Sequence, residues 1–421
     1  MKSSLLHRVF APVPALLPIL IAAFWEIGFA AETPKIGVLY PQTGIYASLG
    51  PSHLNGLRMA VEDHGKLLGQ VPELVIRDNG TQVEKAVTAA RELILNEKVH
   101  VLIGAIHTPV NNAVAGIADE FKIPFLYPSG GSVFLSGVAQ DVPYPKGTVK
   151  ANPHPYMFYT WLNSVQRGYA TLDVAEMKGK RWYFVATDYE HGHEAVGFAQ
   201  KALAEKYRDA FKILGESWAK PGEVNYTSAI TNALAAKPDV VFVLVPGQFV
   251  QFQKQADAMG LTKVAHIHWS YGERPSAVAA GDAAYGVTAT VDYTEDNPDW
   301  KLSKTFAQRY QKRFGEWPGW PASSTYQGTR VFLMAIEKAK SLNAAKIMRA
   351  VQGIEDPNPI TGRPFRVRAC DQKSIQPLYT VQWTKSAEFA PGQWKILKKY
   401  AEPQDALLPC SFMANYDKMK Y

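Results

Sequence analysis

The sequence lacks most of the features that mark a catalytic or membrane-embedded protein. After its first thirty residues, no apolar segment of the 421-residue chain approaches the roughly 20 residues that a membrane span needs. It contains no GxSxG elbow, no GxGxxG after a strand, no P-loop and no HExxH. No recognisable catalytic set therefore remains, although an exported hydrolase stays an alternative because a fold does not dictate its function.

Cysteine and clustered metal ligands are also scarce. Only Cys370 and Cys410 are present, and in an oxidising compartment such a pair predicts one disulfide closing a loop of about 40 residues, worth about 4 kcal/mol. Two buried thiols are the alternative. His266 and His268 lie two apart on a predicted strand, and His191 and His193 are spaced in the same way. Neither pair is accompanied by a recognisable third metal ligand. We therefore expect neither a metal nor a cofactor.

Positive charge is present in excess but is not concentrated. The chain has 45 Lys and Arg against 38 Asp and Glu, a formal net charge of +7, and these residues are scattered apart from residues 395–400 and the C-terminal tail. Because a nucleic-acid surface usually shows a clustered basic stripe, no nucleic-acid partner is expected.

The first 31 residues differ from the rest of the sequence. Lys2 and Arg8 precede a short apolar run, and small residues follow up to Ala30 and Ala31. This order is typical of a cleaved secretory signal. A membrane anchor is the alternative, but the run is short and three prolines interrupt it. We expect a signal peptide over residues 1–31 and a soluble protein outside the cytoplasm.

Short apolar strands alternate with helical patterns through most of the chain. Continuous rather than alternating apolar runs are typical of parallel strands buried on both faces. The predicted strands cover 35–40, 73–78, 100–104 and 123–127 in the first half, and 181–187, 211–217, 239–245 and 264–269 in the second. Helical patterns lie between them, so the sequence predicts two α/β lobes with parallel sheets.

Three corners follow strands of the first lobe, at residues 41–50, 105–110 and 128–137. Parallel sheets bind ligands beyond the carboxyl ends of their strands, where free backbone N–H groups and helix dipoles favour a negative group. Serine, threonine and glycine are frequent in these corners and supply donors and close backbone approach. Simple helix capping is the alternative for any single corner.

The segments "IGVLYPQTGIYASLG", "ELVIRDNGTQVEKAVTAARELI", "VHVLIGAIHTPV" and "IPFLYPSGGS" closely resemble the leucine/isoleucine/valine-binding protein family. These are type I periplasmic substrate-binding proteins of ABC transporters, and the resemblance runs from about residue 34 to about residue 340. It implies two Rossmann-like lobes with parallel-sheet cores joined by a hinge of three crossovers. We expect residues 32–150 to form the first part of lobe 1 and residues 151–290 the first part of lobe 2. Residues 291–421 would hold hinge crossings, the remainder of both lobes and a C-terminal extension.

The resemblance also implies a ligand site between the lobes. The positions that match, or that neighbour the matching corners, are Tyr46, Leu49, His107, Thr108, Ser129, Gly130, Gly131, Ser132, Tyr189, His191, Gln248 and Trp269. The family's amino-acid binders place a carboxylate where Trp269 falls by counting, and Glu273 lies four residues later. This departure favours an aromatic acid slightly over an α-amino acid.

The expected function is the solute-binding component of an ABC importer. The ligand would be a small amino acid-like or aromatic carboxylate or amide, captured by hinge closure. The implied partner is a membrane permease, the implied location is the periplasm, and we expect a monomer. A ligand-sensing module that docks on a receptor is the alternative from another class.

Overall fold

The computed structural model describes residues 32–135, 137–400, 403–418 and 421. The predicted signal peptide therefore lies outside the described residues. Within them, no helix combines the length and the apolar character that crossing a bilayer requires.

The strands follow the apolar runs of the sequence. They are β1 Lys35–Tyr40, β2 Glu73–Asp78, β3 Val101–Gly104, β4 Phe125–Tyr127, β5 Val142–Tyr144, β6 Gly147–Val149, β7 Met157–Tyr159, β8 Arg181–Thr187, β9 Lys212–Ala219, β10 Val240–Leu244, β11 His266–Trp269, β12 Thr288–Val291, β13 Arg366–Val367, β14 Ser374–Ile375, β15 Tyr379–Lys385 and β16 Gly392–Lys399. Nearly all residues of the central strands are buried, as expected for sheets covered on both faces.

The helices occupy the stretches between these strands. They are α1 Gly50–His64, α2 Val83–Leu95, α3 Thr108–Phe121, α4 Ser164–Lys178, α5 Glu190–Tyr207, α6 Thr227–Ala236, α7 Phe249–Ala258, α8 Leu261–Val264, α9 Arg274–Ala280, α10 Lys301–Phe314, α11 Trp320–Ala339 and α12 Ala344–Val351. Local signals set their ends: Asn163 and Gln166 form a capping box at the start of α4, and α3 carries a proline in its first turn.

Two sheets form the cores of two lobes. The first sheet has the order β2-β1-β3-β4-β7 and is parallel throughout. The second has the order β16-β15-β12-β11-β10-β8-β9, in which β15 pairs antiparallel with both β12 and β16 and all other pairings are parallel. This architecture confirms the predicted fold of two Rossmann-like α/β lobes.

The lobe boundary differs from the expected one at residue 150. β7 (157–159) pairs with β4 and completes the first sheet, so lobe 1 extends about ten residues further. The short strand lies inside a proline-rich segment, which is why its sequence reads as a connection. The chain then enters lobe 2 at α4, returns to lobe 1 after β12, and re-enters lobe 2 before β15.

The C-terminal region binds to both lobes. Cys370 and Cys410 form a disulfide with Cα atoms 5.9 Å apart. After β16 the chain packs Ala406 against the α4 side of lobe 2. It then reaches lobe 1, where the His154 N–H donates to the Tyr416 hydroxyl at 2.6 Å. The tail after β16 therefore links the lobes in addition to the three crossings.

Candidate functional site

A narrow cavity of about 10 Å³, with room for about one water molecule, lies between the two lobes. Its lining comes from the corners after β1, β3 and β4 in lobe 1, from those after β8, β10 and β11 in lobe 2, and from the start of α11. The lining residues are Tyr46, Leu49, Ile106, His107, Thr108, Gly130, Tyr189, His191, Pro246, Tyr271, Glu273 and Trp320. The site therefore lies at the carboxyl ends of both sets of parallel strands, as such sheets require.

The corner after β3 is braced from within lobe 1. The side-chain oxygen of Asn111 accepts from the Ala105 N–H at 2.9 Å, and its amide donates to the His107 carbonyl at 2.9 Å. The Ser129 hydroxyl donates to the Ala105 carbonyl at 2.7 Å. Helix α3 then begins at Thr108, so its first N–H groups and the Thr108 hydroxyl are donors at the cavity. Ser129 supports the corner and does not line the cavity.

Six aromatic rings form a continuous chain of contacts around the cavity, which we call the aromatic belt. Consecutive ring centroids are 5.6 Å apart for Tyr46–His107, 5.9 Å for His107–Tyr189, 5.9 Å for Tyr189–His191, 5.8 Å for His191–Tyr271 and 6.0 Å for Tyr271–Trp320. The belt crosses from one lobe to the other at His107–Tyr189 and again at Tyr271–Trp320. The lobes are therefore in contact around the cavity.

Glu273 lines the cavity, although it lies four residues beyond the position at which counting places the family's carboxylate. Its side chain is fully buried at the start of α9. One carboxylate oxygen accepts from the Ser276 hydroxyl at 2.8 Å, and the other, Oε1, has no hydrogen-bond partner. Burial raises the pKa of the Glu273 carboxyl to about 7. The site thus contains an acidic group with free accepting capacity.

The two histidines of the belt are neutral at physiological pH. Burial lowers the pKa of His107 to about 4. Burial, reinforced by the nearby Arg167 guanidinium, lowers the pKa of His191 to about 3. Among the described residues, the cavity lining includes no lysine and no arginine.

Gly131 and Ser132 lie behind the cavity, where lobe 1 meets helix α5 of lobe 2. The Glu194 carboxylate accepts from the Ser132 hydroxyl at 2.9 Å and from the backbone N–H groups of Val133 and Phe134 at 2.6 and 3.1 Å. A methyl group on Gly131 would lie 2.3 Å from the His191 ring. Neither residue lines the cavity, but both belong to the contact between the lobes.

Gln248 and Trp269 do not line the cavity either. The Trp269 ring is fully buried and stacks on Phe249, with centroids 3.6 Å apart. Gln248 directly precedes α7. Tyr271, two residues later, does line the cavity, because the chain leaves the core when β11 ends at Trp269.

Arg167 is a buried cation that sequence reasoning did not identify. Its guanidinium lies 4.2 Å from the Trp161 ring centroid and 4.8 Å from that of Tyr271. Nη1 donates to the carbonyls of Ser270 and Thr290. Arg167 thus supports the corner that carries Tyr271, without lining the cavity itself. Its sequence signal, one arginine in a helix, is too weak to single it out.

The histidine pairs are held by other side chains. His266 and His268 both contact the Thr288 hydroxyl, at 2.8 and 3.0 Å, and His193 contacts Asp188 at 2.8 Å. Across the part of the chain that the structure describes, no three His, Cys, Asp or Glu side chains group as metal ligands would.

Comparison with known proteins gives consistent results. A family model described as periplasmic binding protein matches residues 33–388. The Leu/Ile/Val-binding protein homolog 7 of Brucella abortus (strain 2308) is 25% identical over 370 residues, covering 84% of this chain and 90% of that protein.

Solved structures share the fold. A solute-binding protein of an ABC transporter from Rhodopseudomonas palustris BisB5, in complex with 3,4-dihydroxybenzoic acid, has a TM-score of 0.77 at 24% identity, covering 88% of this chain and 97% of that one. An amino acid ABC transporter substrate-binding protein from Pseudomonas fluorescens Pf-5 has a TM-score of 0.78 at 22% identity, covering 92% and 99%.

Proposed function

The chain belongs to the periplasmic binding protein family, and from that premise we propose that it is the solute-binding component of an ABC importer. The observation that carries the proposal is the cavity between the lobes, because its lining comes from both lobes and lies at the carboxyl ends of both sets of parallel strands. The predicted signal peptide and the family's location support a periplasmic protein. A membrane permease is then the partner that would receive the solute.

We propose that the ligand carries a carboxylate or amide and is amino acid-like or aromatic. The first turn of α3 and the Thr108 hydroxyl offer hydrogen-bond donors for such a group, where the helix dipole favours negative charge. The aromatic belt offers flat apolar walls for the remainder of the ligand. The named ligand of the Rhodopseudomonas palustris structure, an aromatic acid, belongs to this chemical class.

Hinge closure is the proposed mechanism of capture. A ligand stabilises the closed arrangement only through contacts it gains there. In this protein those contacts would come from Tyr189, His191, Tyr271 and Glu273 of lobe 2, added to those of lobe 1. Ligand that binds lobe 1 alone would not shift the equilibrium, so both lobes are needed.

Isothermal titration calorimetry of the purified protein against amino acids, aromatic acids and short amides tests the proposal. We expect one class to bind, to raise the melting temperature and to be recovered unchanged after incubation. Consumption of the ligand would indicate an enzyme and contradict the proposal. Uptake by membrane vesicles containing the permease, measured with and without the protein, separates import from sensing.

A further inference from the structure

One side chain of lobe 2 is held by lobe 1 at a place outside the ligand cavity. Glu194 lies in α5 and is 1% exposed. Its carboxyl accepts from the Ser132 hydroxyl at 2.9 Å and from the backbone N–H groups of Val133 and Phe134 at 2.6 and 3.1 Å. All three donors belong to the corner after β4 in lobe 1, where successive backbone N–H groups converge on one acceptor. The contact therefore joins the two lobes through protein groups alone.

The face of α5 that carries Glu194 extends from the cavity along the contact between the lobes. His191, Glu194 and Phe198 are spaced i, i+3 and i+7, so they share one face of the helix. The His191 ring lines the cavity, and Phe198 packs with Val133 and Val142 of lobe 1. Glu194 lies between them and does not belong to the lining. Movement of α5 away from lobe 1 would therefore break the Glu194 hydrogen bonds and open the cavity wall together.

Burial makes these hydrogen bonds important for the closed arrangement. When the lobes are apart, water can solvate the carboxyl and its three donors. When the lobes are together, each group depends on the other, because a buried polar group without a partner is costly. Burial raises the pKa of the Glu194 carboxyl to about 8, and the protonated form retains acceptor capacity. The contact therefore depends on hydrogen bonding more than on charge.

We propose that Glu194 is a positioning residue that latches the closed arrangement of the lobes from outside the cavity. This inference rests on the proposed function and adds to it a determinant of affinity that never touches the ligand. When a ligand binds tightly only to the closed form, the observed affinity scales with the fraction of protein that is closed. The latch therefore raises the affinity for every ligand by the same factor and leaves the choice between ligands to the cavity lining.

Removal of the acceptor tests the latch. L-leucine, benzoate and benzamide are the probes, and calorimetry measures their affinities. For each probe that binds the parent protein, Glu194→Ala should weaken binding by one common factor of at least tenfold. Glu194→Met retains more of the side-chain volume and takes its place if the alanine variant does not fold. Glu205→Gln, which removes an exposed carboxylate from the same helix, is the control and should bind like the parent.

Ser132 provides a readout that a general loss of structure would not give. Ser132→Ala removes one of the three donors and should weaken binding about threefold in the parent protein. In the Glu194→Ala background it should have no further effect, because groups in direct contact behave non-additively. Additive effects of the two substitutions would show that the side chains act independently, and they would overturn the inference.

A distance measurement tests the latch in the ligand-free protein. Spin labels are attached to cysteines introduced by Glu84→Cys in α2 of lobe 1 and by Lys254→Cys in α7 of lobe 2, both at exposed positions. Double electron–electron resonance then gives the distribution of distances between the labels. Glu194→Ala should lower the ratio of closed to open protein at least tenfold, and Glu205→Gln should leave the ratio unchanged.

Each outcome bears on the latch. Unchanged distances in Glu194→Ala would show that the corner after β4 moves with lobe 2, and would overturn the inference. Affinities that fall by factors differing more than threefold between probes would also overturn it, since the side chain would then act on the ligand. Both results leave the proposed function intact. Binding of none of the three probes would count against the proposed ligand class, while the distances would still decide on the latch.

Discussion

The two lobes bring opposite kinds of group to the same cavity. Lobe 1 offers the first turn of α3, the Thr108 hydroxyl and the Gly130 backbone, which are neutral donors. Lobe 2 offers Tyr189, Tyr271 and the Glu273 carboxyl, which are electron-rich or acidic. A molecule that satisfies both lobes must therefore have two unlike ends. We therefore expect the proposed hinge closure to be selective, because neither lobe alone would recognise the whole molecule.

The largest expected effect is on stability and concerns Trp269, which lies in the core of lobe 2 and not in the cavity lining. Trp269→Ala should lower the free energy of unfolding by about 3–5 kcal/mol, the usual cost of truncating a large buried aromatic. Affinity of the folded fraction should stay within about threefold, because the ring stacks on Phe249 outside the cavity. Urea denaturation and calorimetry measure the two quantities.

Trp269→Phe provides a variant that retains more of the packing if the alanine variant does not fold. A large loss of affinity in Trp269→Phe, with stability retained, would show that the ring contributes to binding after all.

The next prediction concerns the raised pKa of the Glu273 carboxyl in lobe 2. Glu273→Gln should raise the free energy of unfolding of the ligand-free protein by about 3 kcal/mol at pH 8. The folded-state pKa of about 7 exceeds the ordinary value of 4.5, so ionisation opposes folding as pH rises between these values. Below pH 4.5 the carboxyl is protonated in both states, and the variant and parent should agree.

Denaturation curves at pH 4, 6 and 8 measure this difference. A gap that is independent of pH would contradict the assignment. Thr108→Val, which lies in the other lobe and does not titrate, is the control and should show no such trend.

The contact between the lobes can be tested at Gly131. Gly131→Ala should weaken ligand binding by about 10- to 30-fold, because its methyl group would meet the His191 ring and overpacking usually costs about 1–3 kcal/mol. Gly116→Ala is the matched control, since its added methyl group meets nothing within 4 Å. Equal affinities of the two variants would show that closure does not bring these surfaces together in solution.

The smallest expected effect concerns the donors of lobe 1. Thr108→Val keeps the shape of the side chain and should weaken binding by about tenfold, since a hydrogen bond to a charged group is worth about 1.5–3 kcal/mol. Thr88→Val, on the exposed face of α2, should bind like the parent. An unchanged affinity for Thr108→Val would indicate that the ligand's polar end does not bind at the start of α3.

Sequence reasoning predicted the lobes well because buried parallel strands leave clear apolar runs. The bounds of β1, β2 and β8 match the predicted ones, and those of the other five predicted strands differ by at most two residues at either end. β7 escaped prediction because three residues in a proline-rich segment give no periodic signal. The β15–β16 hairpin lies where the pattern becomes irregular.

Only part of the cavity lining was predicted from the sequence, and the reason is physical. Corners next to strands, such as those of Thr108 and Tyr189, follow directly from where a strand ends. Glu273 depends on the path of a turn, and Trp320 depends on the chain's return from lobe 2 to lobe 1. Neither path can be read from local sequence, because tertiary packing determines it.

The C-terminal tail has a consequence for the range of motion. In the proposed mechanism, a ligand surrounded by residues of both lobes leaves when the two sheets rotate apart. The tail runs from the α4 side of lobe 2 to Gly137 and His154 of lobe 1, where the Ala414 N–H donates to the Gly137 carbonyl at 3.0 Å. This additional tether should shorten the arc available to that rotation, so we expect residues 403–418 and the Cys370–Cys410 disulfide to limit how far an open form can open.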